Sequence, residues 1–169
     1  MTSAIPIPEY DPAPADVSRF LSALSNVTQA NVLNHLTGVS SSIMTRHSQS
    51  PNIKDVATWL SDYFVQHGFA VSQQTYRADH GPNVIAELRG TERPDDIVVI
   101  GAHYDSRTLA LYDKSSRAPG ADDDASGTSM VLTLAQAIGS SRARFGSTVR
   151  LVLFCGEEQG LIGSEAYAK

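Results

Sequence analysis

Few features of this sequence point to a disulfide-bonded, disordered or membrane-spanning protein. Cys155 is the only cysteine among 169 residues, which excludes a small fold built on internal disulfides. Charged residues make up 18% and hydrophobic residues 41%, so the chain is not a charge-rich disordered segment. No apolar run reaches the roughly 20 residues needed to cross a bilayer. These absences leave a globular domain, and we expect no membrane among its partners.

Positive charge is also scarce. Thirteen Lys and Arg residues stand against eighteen Asp and Glu residues, which gives a formal net charge of −5. A protein that binds a nucleic-acid duplex needs a basic surface, so we expect no nucleic-acid partner. The ten arginines are scattered along the chain, as is typical of solvated surface charge. His47, His67 and His80 form no pair with metal-ligand spacing, and we assign them to the surface as well.

The apolar pattern predicts helices first and strands afterwards. Residues 1–14 hold four of the eight prolines and predict an extended arm, followed by a folded unit over residues 15–169. Apolar residues at helical spacing predict helices over 16–24, 27–36 and 51–67. Alternating apolar and polar residues predict strands over 69–77 and 83–88.

Two further strands, 97–100 and 149–154, have apolar residues on both faces, as expected where helices cover a sheet on both sides. A helix predicted over 123–138 separates them. The order strand, helix, strand predicts a parallel crossover within an α/β three-layer sandwich, whose mixed sheet is parallel at its centre. Ligands of such sheets bind beyond the carboxyl ends of the strands.

The first candidate motif, Gly-Ala-His-Tyr-Asp-Ser at 101–106, directly follows strand 97–100. A single histidine at a strand end is usually a structural residue. Asp105 changes this interpretation, because a carboxylate on the second ring nitrogen fixes the tautomer of a metal-bound imidazole and raises its basicity. His103 is therefore a candidate metal ligand, and Asp105 is the residue that orients it.

The second motif contains three consecutive aspartates, Asp122, Asp123 and Asp124. One of them could cap the helix that follows. Three adjacent carboxylates repel one another, and capping cannot use them all. A divalent cation would offset the excess negative charge, and Gly120 and Gly127 on either side allow the backbone to approach closely.

The third motif, Cys-Gly-Glu-Glu-Gln-Gly at 155–160, follows strand 149–154. Glu157 and Glu158 leave a buried strand, where two uncompensated carboxylates are costly. Adjacent residues on extended backbone point in different directions, so one can bind a metal while the other acts as a general base toward water. Their spacing does not decide which does which. Cys155 is predicted to be a small buried residue rather than a nucleophile.

A histidine, an aspartate cluster and a glutamate pair thus lie at the ends of successive elements of one predicted sheet. Nitrogen and carboxylate donors together favour a divalent metal, with zinc as the first choice. The residues themselves therefore predict metal-dependent hydrolysis.

Three segments resemble, in their order and residue identities, the motifs of the M28 family of dizinc aminopeptidases: GAHYDS, APGADDDASG and FCGEEQGLIGS. The secreted bacterial and fungal leucine-aminopeptidase type is the most similar, and the resemblance covers roughly residues 59–169. It implies a zinc-exopeptidase fold of the phosphorylase/hydrolase-like kind and two Zn²⁺ ions. It also implies peptide substrates with a free, Leu-like N-terminal residue and a secreted protein.

The resemblance implies a role for each site residue. His103 would bind one zinc ion and Glu158 the other. Asp122 would bridge both ions, with a cis peptide bond between Asp122 and Asp123. Glu157 would be the general base, and Asp105 would orient His103.

The family's site needs two more ligands, an Asp and a His, which come later in the chain than this sequence extends. We therefore expect residues 15–169 to be the N-terminal part of an aminopeptidase domain, inactive alone unless the C-terminal remainder of the domain completes the site. Two alternatives remain open: a single-zinc enzyme of the glutaminyl-cyclase type, and a non-catalytic ectodomain with the same fold. The intact aspartate triple favours the peptidase.

Overall fold

The computed structural model describes residue 23 and residues 29–169. The arm predicted over 1–14 lies outside these residues, as does the helix predicted over 16–24 apart from residue 23. The helices are α1 (Gln29–Leu36), α2 (Ile53–Gln66), α3 (Ser126–Ser141) and α4 (Ile162–Tyr167). The strands are β1 (Ala70–Gln74), β2 (Asn83–Leu88), β3 (Arg93–His103) and β4 (Ser147–Phe154). None of these helices is long and apolar enough to span a bilayer.

The strands form one mixed sheet with the order β1-β2-β4-β3. β2 pairs antiparallel with both β1 and β4, whereas β3 and β4 run parallel. Because α3 connects the two parallel strands, the predicted strand–helix–strand crossover is confirmed. The parallel register places Ile100 opposite Leu151 and His103 opposite Phe154. Both strands therefore end at the same edge of the sheet.

Helices lie on both faces of the sheet, but within the described residues the second face carries only the six-residue helix α4. Alternate residues of β4, among them Leu151 and Leu153, are buried in the main core together with the apolar stripe of α2. The opposite face of β4 contacts α4, where the rings of Phe154 and Tyr167 lie 5.6 Å apart. Burying such side chains supplies the main driving force for this packing.

The prediction that strand 97–100 is covered on both faces is wrong for the described residues. Ile97, Val98 and Val99 are 43%, 52% and 47% exposed. The physical reason is position, because within residues 29–169 β3 is the outer strand and has β4 as its only neighbour. β3 thus presents an apolar surface and an unpaired backbone edge, which proteins normally cover.

Candidate metal centre

The common end of β3 and β4 brings the first and third sequence motifs together. His103 is the last residue of β3, and Glu157 follows β4 by three residues. His103 Nε2 lies 3.7 Å from Glu157 Oε2. The parallel pairing of β3 with β4 therefore produces the contact that the motif order predicted.

The aspartate triple lies in an irregular turn, Ala121–Ala125, directly before α3 and at the end of the loop that follows β3. Asp124 anchors this turn, since its carboxylate accepts hydrogen bonds from the backbone N–H of Gly127 (2.8 Å) and of His103 (3.2 Å). Gly120 begins the turn with a left-handed φ of 46°, and a Cβ there would lie 2.5 Å from the Asp123 carbonyl. The turn thus requires glycine at this position.

Asp123, rather than Asp122, faces the histidine. Asp123 Oδ1 lies 2.9 Å from His103 Nε2. Both aspartates are exposed, but Asp122 is engaged through its backbone carbonyl, which accepts a hydrogen bond from Ser126 Oγ. The cis peptide bond predicted between Asp122 and Asp123 is instead between Asp123 and Asp124, so that prediction is wrong by one residue.

The register of the triple could not be read from three identical side chains. It is set by the two hydrogen bonds that fix Asp124 to the ends of β3 and α3. These bonds leave Asp123 as the carboxylate that reaches His103 Nε2. Asp124 has the capping role that the sequence allowed for one member of the triple.

Asp105 is fully buried and connects the two strand ends. Its carboxylate accepts the backbone N–H groups of Glu157 (3.3 Å) and Glu158 (3.2 Å). Asp105 Oδ1 also lies 3.5 Å from His103 Nδ1, a separation too long for a well-formed hydrogen bond. Asp105 therefore acts on the imidazole mainly as a close negative charge, and it fixes the start of the Glu157–Glu158 segment directly.

The electrostatics around His103 favour a cation. Burial alone lowers the pKa of this imidazole, but the nearby carboxylates of Asp105, Glu157 and Asp124 outweigh burial and raise its pKa to about 9. Nδ1 is directed toward Asp105, so Nε2 is left facing Asp123 and Glu157. A divalent metal could take the position that a proton otherwise occupies there.

The two glutamates differ in their surroundings. The Glu158 side chain is only 8% exposed, and its Oε2 accepts a hydrogen bond from Arg107 Nε at 2.7 Å. Glu157 is 37% exposed and has His103 as its ionic neighbour. Burial raises the pKa of Glu158, whereas the hydrogen bond and charge of Arg107 lower it. Glu157 is thus the more accessible of the two carboxylates.

Replacing Arg107 with methionine is expected to raise the pKa of Glu158 further, because burial would then act on that carboxylate without the opposing cation. Carbon-13 NMR titration of the glutamate carboxyl groups measures this shift. Arg117→Met is the matched control, since Arg117 is an exposed residue of the same loop whose guanidinium donates to Thr37 O. An unchanged or lower pKa for Glu158 in Arg107→Met would contradict the conclusion that Arg107 lowers the pKa of this carboxylate.

Several polar residues near the site were not found from the sequence. Arg46, His47 and His80 are buried, so their assignment to the surface is wrong. His47 is held by the Gln49 N–H on Nδ1 and by Leu111 O, 3.0 Å from Nε2. No apolar periodicity marks these residues, because polar partners satisfy them: main-chain carbonyls for Arg46, and the adjacent Asp79 carboxylate for His80. The predicted burial of Cys155 is confirmed, and burial raises the pKa of its thiol.

The donor set fits part of a zinc site. An imidazole nitrogen faces carboxylate oxygens, and a buried carboxylate lies behind the ring, as is common for zinc-bound histidine. Among the residues that the structure describes, no three His, Cys, Asp or Glu side chains form a complete metal-holding group.

A profile described as Peptidase family M28 matches residues 83–169, just over half of the chain and all three motifs. The chain belongs to peptidase family M28. The family predicted from the three motifs is thereby confirmed.

Similar proteins support this family assignment, one over about half of the chain and another over most of it. A probable zinc metalloprotease of Leptosphaeria maculans is 48% identical over 82 residues, which cover 48% of this chain and 19% of that protein. Leucine aminopeptidase 1 of Paracoccidioides brasiliensis is 34% identical over 164 residues, covering 90% of this chain and 40% of that protein. The M28 chain therefore spans between about a fifth and two fifths of these curated relatives.

The crystal structure of LapB from Legionella pneumophila resembles the fold of this M28 chain with a TM-score of 0.75 and 26% identity. The match covers 96% of this chain and 43% of LapB. The predicted α/β class is thereby confirmed.

Proposed function

We propose that this chain supplies the N-terminal part of the catalytic domain of a zinc aminopeptidase, which releases Leu-like N-terminal residues from peptides. The observation that carries the proposal is the placement of His103 Nε2 between Asp123 and Glu157, with Asp105 behind the ring. The relatives' names support the reaction class, since one is a probable zinc metalloprotease and another a leucine aminopeptidase.

His103 and Glu158 would hold zinc, and the ligand role that the resemblance implies for Asp122 would fall to Asp123. When bound, the ions lower the pKa of a water molecule and polarise the scissile carbonyl. Asp105 keeps Nε2 of His103 directed toward Asp123. Glu157 takes the proton of the attacking water and returns it to the leaving amine, for which its accessible carboxylate is suited.

The remaining ligands, an Asp and a His, belong in this proposal to the C-terminal remainder of the domain. Two observations support such a partner. This chain matches only 40% of the leucine aminopeptidase from Paracoccidioides brasiliensis. Within the part of the chain that the structure describes, β3 also exposes Ile97, Val98 and Val99 beside an unpaired strand edge. A further strand and helix of the same domain would cover this surface.

The reaction is tested with a chain extended beyond Lys169 by the C-terminal segment of that fungal leucine aminopeptidase. The extended protein should hydrolyse leucine p-nitroanilide with zinc and lose activity with a chelator. It should not hydrolyse the N-acetylated substrate, because an aminopeptidase requires a free N-terminus. Folding is verified by circular dichroism and by elution as a compact monomer or oligomer.

Other outcomes of the same experiment favour the alternatives. One bound zinc ion with formation of pyroglutamate from N-terminal glutamine would assign the site to a glutaminyl-cyclase type of enzyme. A folded extended chain that binds no zinc and hydrolyses neither substrate would favour a non-catalytic domain.

We also propose that the protein is secreted. Detection of the protein in the culture medium of the native source would test this proposal.

A further inference from the structure

Arg46 is a fully buried cation close to the metal centre. Its guanidinium donates four hydrogen bonds, and every acceptor is a backbone carbonyl. The bonds run to Tyr104 O (2.7 Å), Leu36 O (2.7 Å), Pro119 O (2.7 Å) and Gly120 O (3.1 Å). Such a planar, multiply bonded guanidinium holds its partners in a fixed geometry that a lysine cannot reproduce.

Three of these carbonyls belong to the segments that carry the candidate ligands. Tyr104 lies between His103 and Asp105, and Pro119 and Gly120 lead into the turn that contains Asp123. One side chain thus connects the end of β3 with the aspartate turn.

The Arg46 backbone strengthens the same connection. Arg46 N–H donates to Ser106 Oγ (3.1 Å), and Ser106 N–H donates to Arg46 O (3.2 Å). Ser106 Oγ in turn donates to Ala118 O at 2.8 Å. The backbone and the side chain of Arg46 therefore both fix the distance between the two segments.

The charge of Arg46 also complements the site. Burial lowers the pKa of Arg46 to about 10, and the negative charges of Asp105, Asp124 and Glu158 oppose that effect. Arg46 is in hydrogen-bond contact with none of these carboxylates, so its charge acts at a distance on the whole cluster.

We propose that Arg46 is a positioning residue of the metal centre, which holds the end of β3 and the aspartate turn at the separation where His103 and Asp123 face one cation. The inference rests on the proposed function, since it assumes that His103 and Asp123 are ligands. A purely structural arginine would affect the stability of the fold and leave metal affinity unchanged. The two roles therefore differ in a measurable way.

The test compares variants of the extended chain described under the proposed function, because the complete site is expected to bind zinc tightly. Arg46→Met removes the hydrogen bonds of the guanidinium together with its charge. Arg46→Lys keeps the charge but lacks the planar guanidinium. Arg150→Met is the control, because Arg150 donates two bonds to Glu87 on the sheet face that packs against α4. Stability is measured by urea unfolding, and metal affinity by calorimetric titration with Zn²⁺ on variants shown to be folded by circular dichroism.

Arg46→Met should bind zinc about 10- to 100-fold more weakly than the unchanged chain, the range known for residues that orient metal ligands. Arg150→Met should lose stability with less than about a two-fold change in zinc affinity. If Arg46→Met does not fold, Arg46→Lys decides, and it should bind zinc at least about five-fold more weakly. Wild-type zinc affinity in a folded Arg46 variant would overturn the proposal.

A second readout separates this proposal from the proposed function. If the unchanged extended chain binds no zinc, the assignment of His103 as a ligand fails. The positioning role is then judged by NMR of the His103 imidazole and of the Tyr104 and Gly120 amides. These signals should shift or broaden in Arg46→Lys and stay unchanged in Arg150→Met. Signals that remain in place in Arg46→Lys would overturn the positioning role.

Discussion

Glu157→Gln is expected to reduce the kcat of the extended, zinc-loaded enzyme by about 10²- to 10⁴-fold, the contribution typical of a general base. Glutamine has nearly the same shape as glutamate but cannot accept the proton of the attacking water. Because Glu157 is the more exposed of the two glutamates and hydrogen-bonds Asp105 through its backbone, the substitution should leave the fold intact. Hydrolysis of leucine p-nitroanilide measures the loss.

Zinc content measured by atomic emission distinguishes loss of the general base from loss of the metal. The zinc content of Glu157→Gln should equal that of the unchanged enzyme. Glu165→Gln makes the same change of charge at an exposed position of α4 and should retain full activity. Activity retained by Glu157→Gln would remove Glu157 from the role of general base.

The second large effect should separate Asp123 from Asp122. Asp123→Asn is expected to lower zinc affinity by more than about 100-fold, beyond what changes outside the ligand shell produce. The reason is that Asp123 Oδ1 lies 2.9 Å from His103 Nε2, so both atoms would contribute to the proposed metal site. Asp122→Asn, in which an exposed side chain changes one residue away, is the matched control and should bind zinc like the unchanged chain.

Zinc retained by the extended chain after dialysis against a weak chelator measures both variants. Asp124→Asn is the third variant. Because the Asp124 carboxylate accepts hydrogen bonds from the N–H groups of Gly127 and His103, this substitution should mainly lower the stability of the fold. Loss of zinc from Asp122→Asn together with retention by Asp123→Asn would return the ligand role to Asp122.

The part of the fold that could be predicted is the part determined by local pattern. Apolar strands on either side of a helix identified the parallel pairing of β3 and β4, and β2 was predicted with its observed bounds, Asn83–Leu88. The proximity of His103 and Glu157 follows directly from that pairing. The glutamate environments and the register of the aspartate triple did not follow, because they depend on hydrogen bonds between separate segments.

Long-range contacts explain why the burial of Arg46 and the exposure of β3 were not predicted. Three of the four carbonyls that accept from Arg46 are 58 to 74 residues away, and no local sequence pattern predicts such contacts. The apolar sequence of β3 was read as evidence of a covered strand. An apolar pattern records the surroundings of a strand in its complete domain, and within residues 29–169 the neighbours that would cover Ile97, Val98 and Val99 are not found.

The central claim is that this chain carries part of a zinc site and needs further ligands to complete it. The most direct test is zinc titration and leucine p-nitroanilide hydrolysis by the 169-residue chain alone, beside the extended chain. We predict weak zinc binding and no turnover by the chain alone, with tight binding and turnover in the extended chain. Tight, stoichiometric zinc with full turnover by the 169 residues alone would contradict the account.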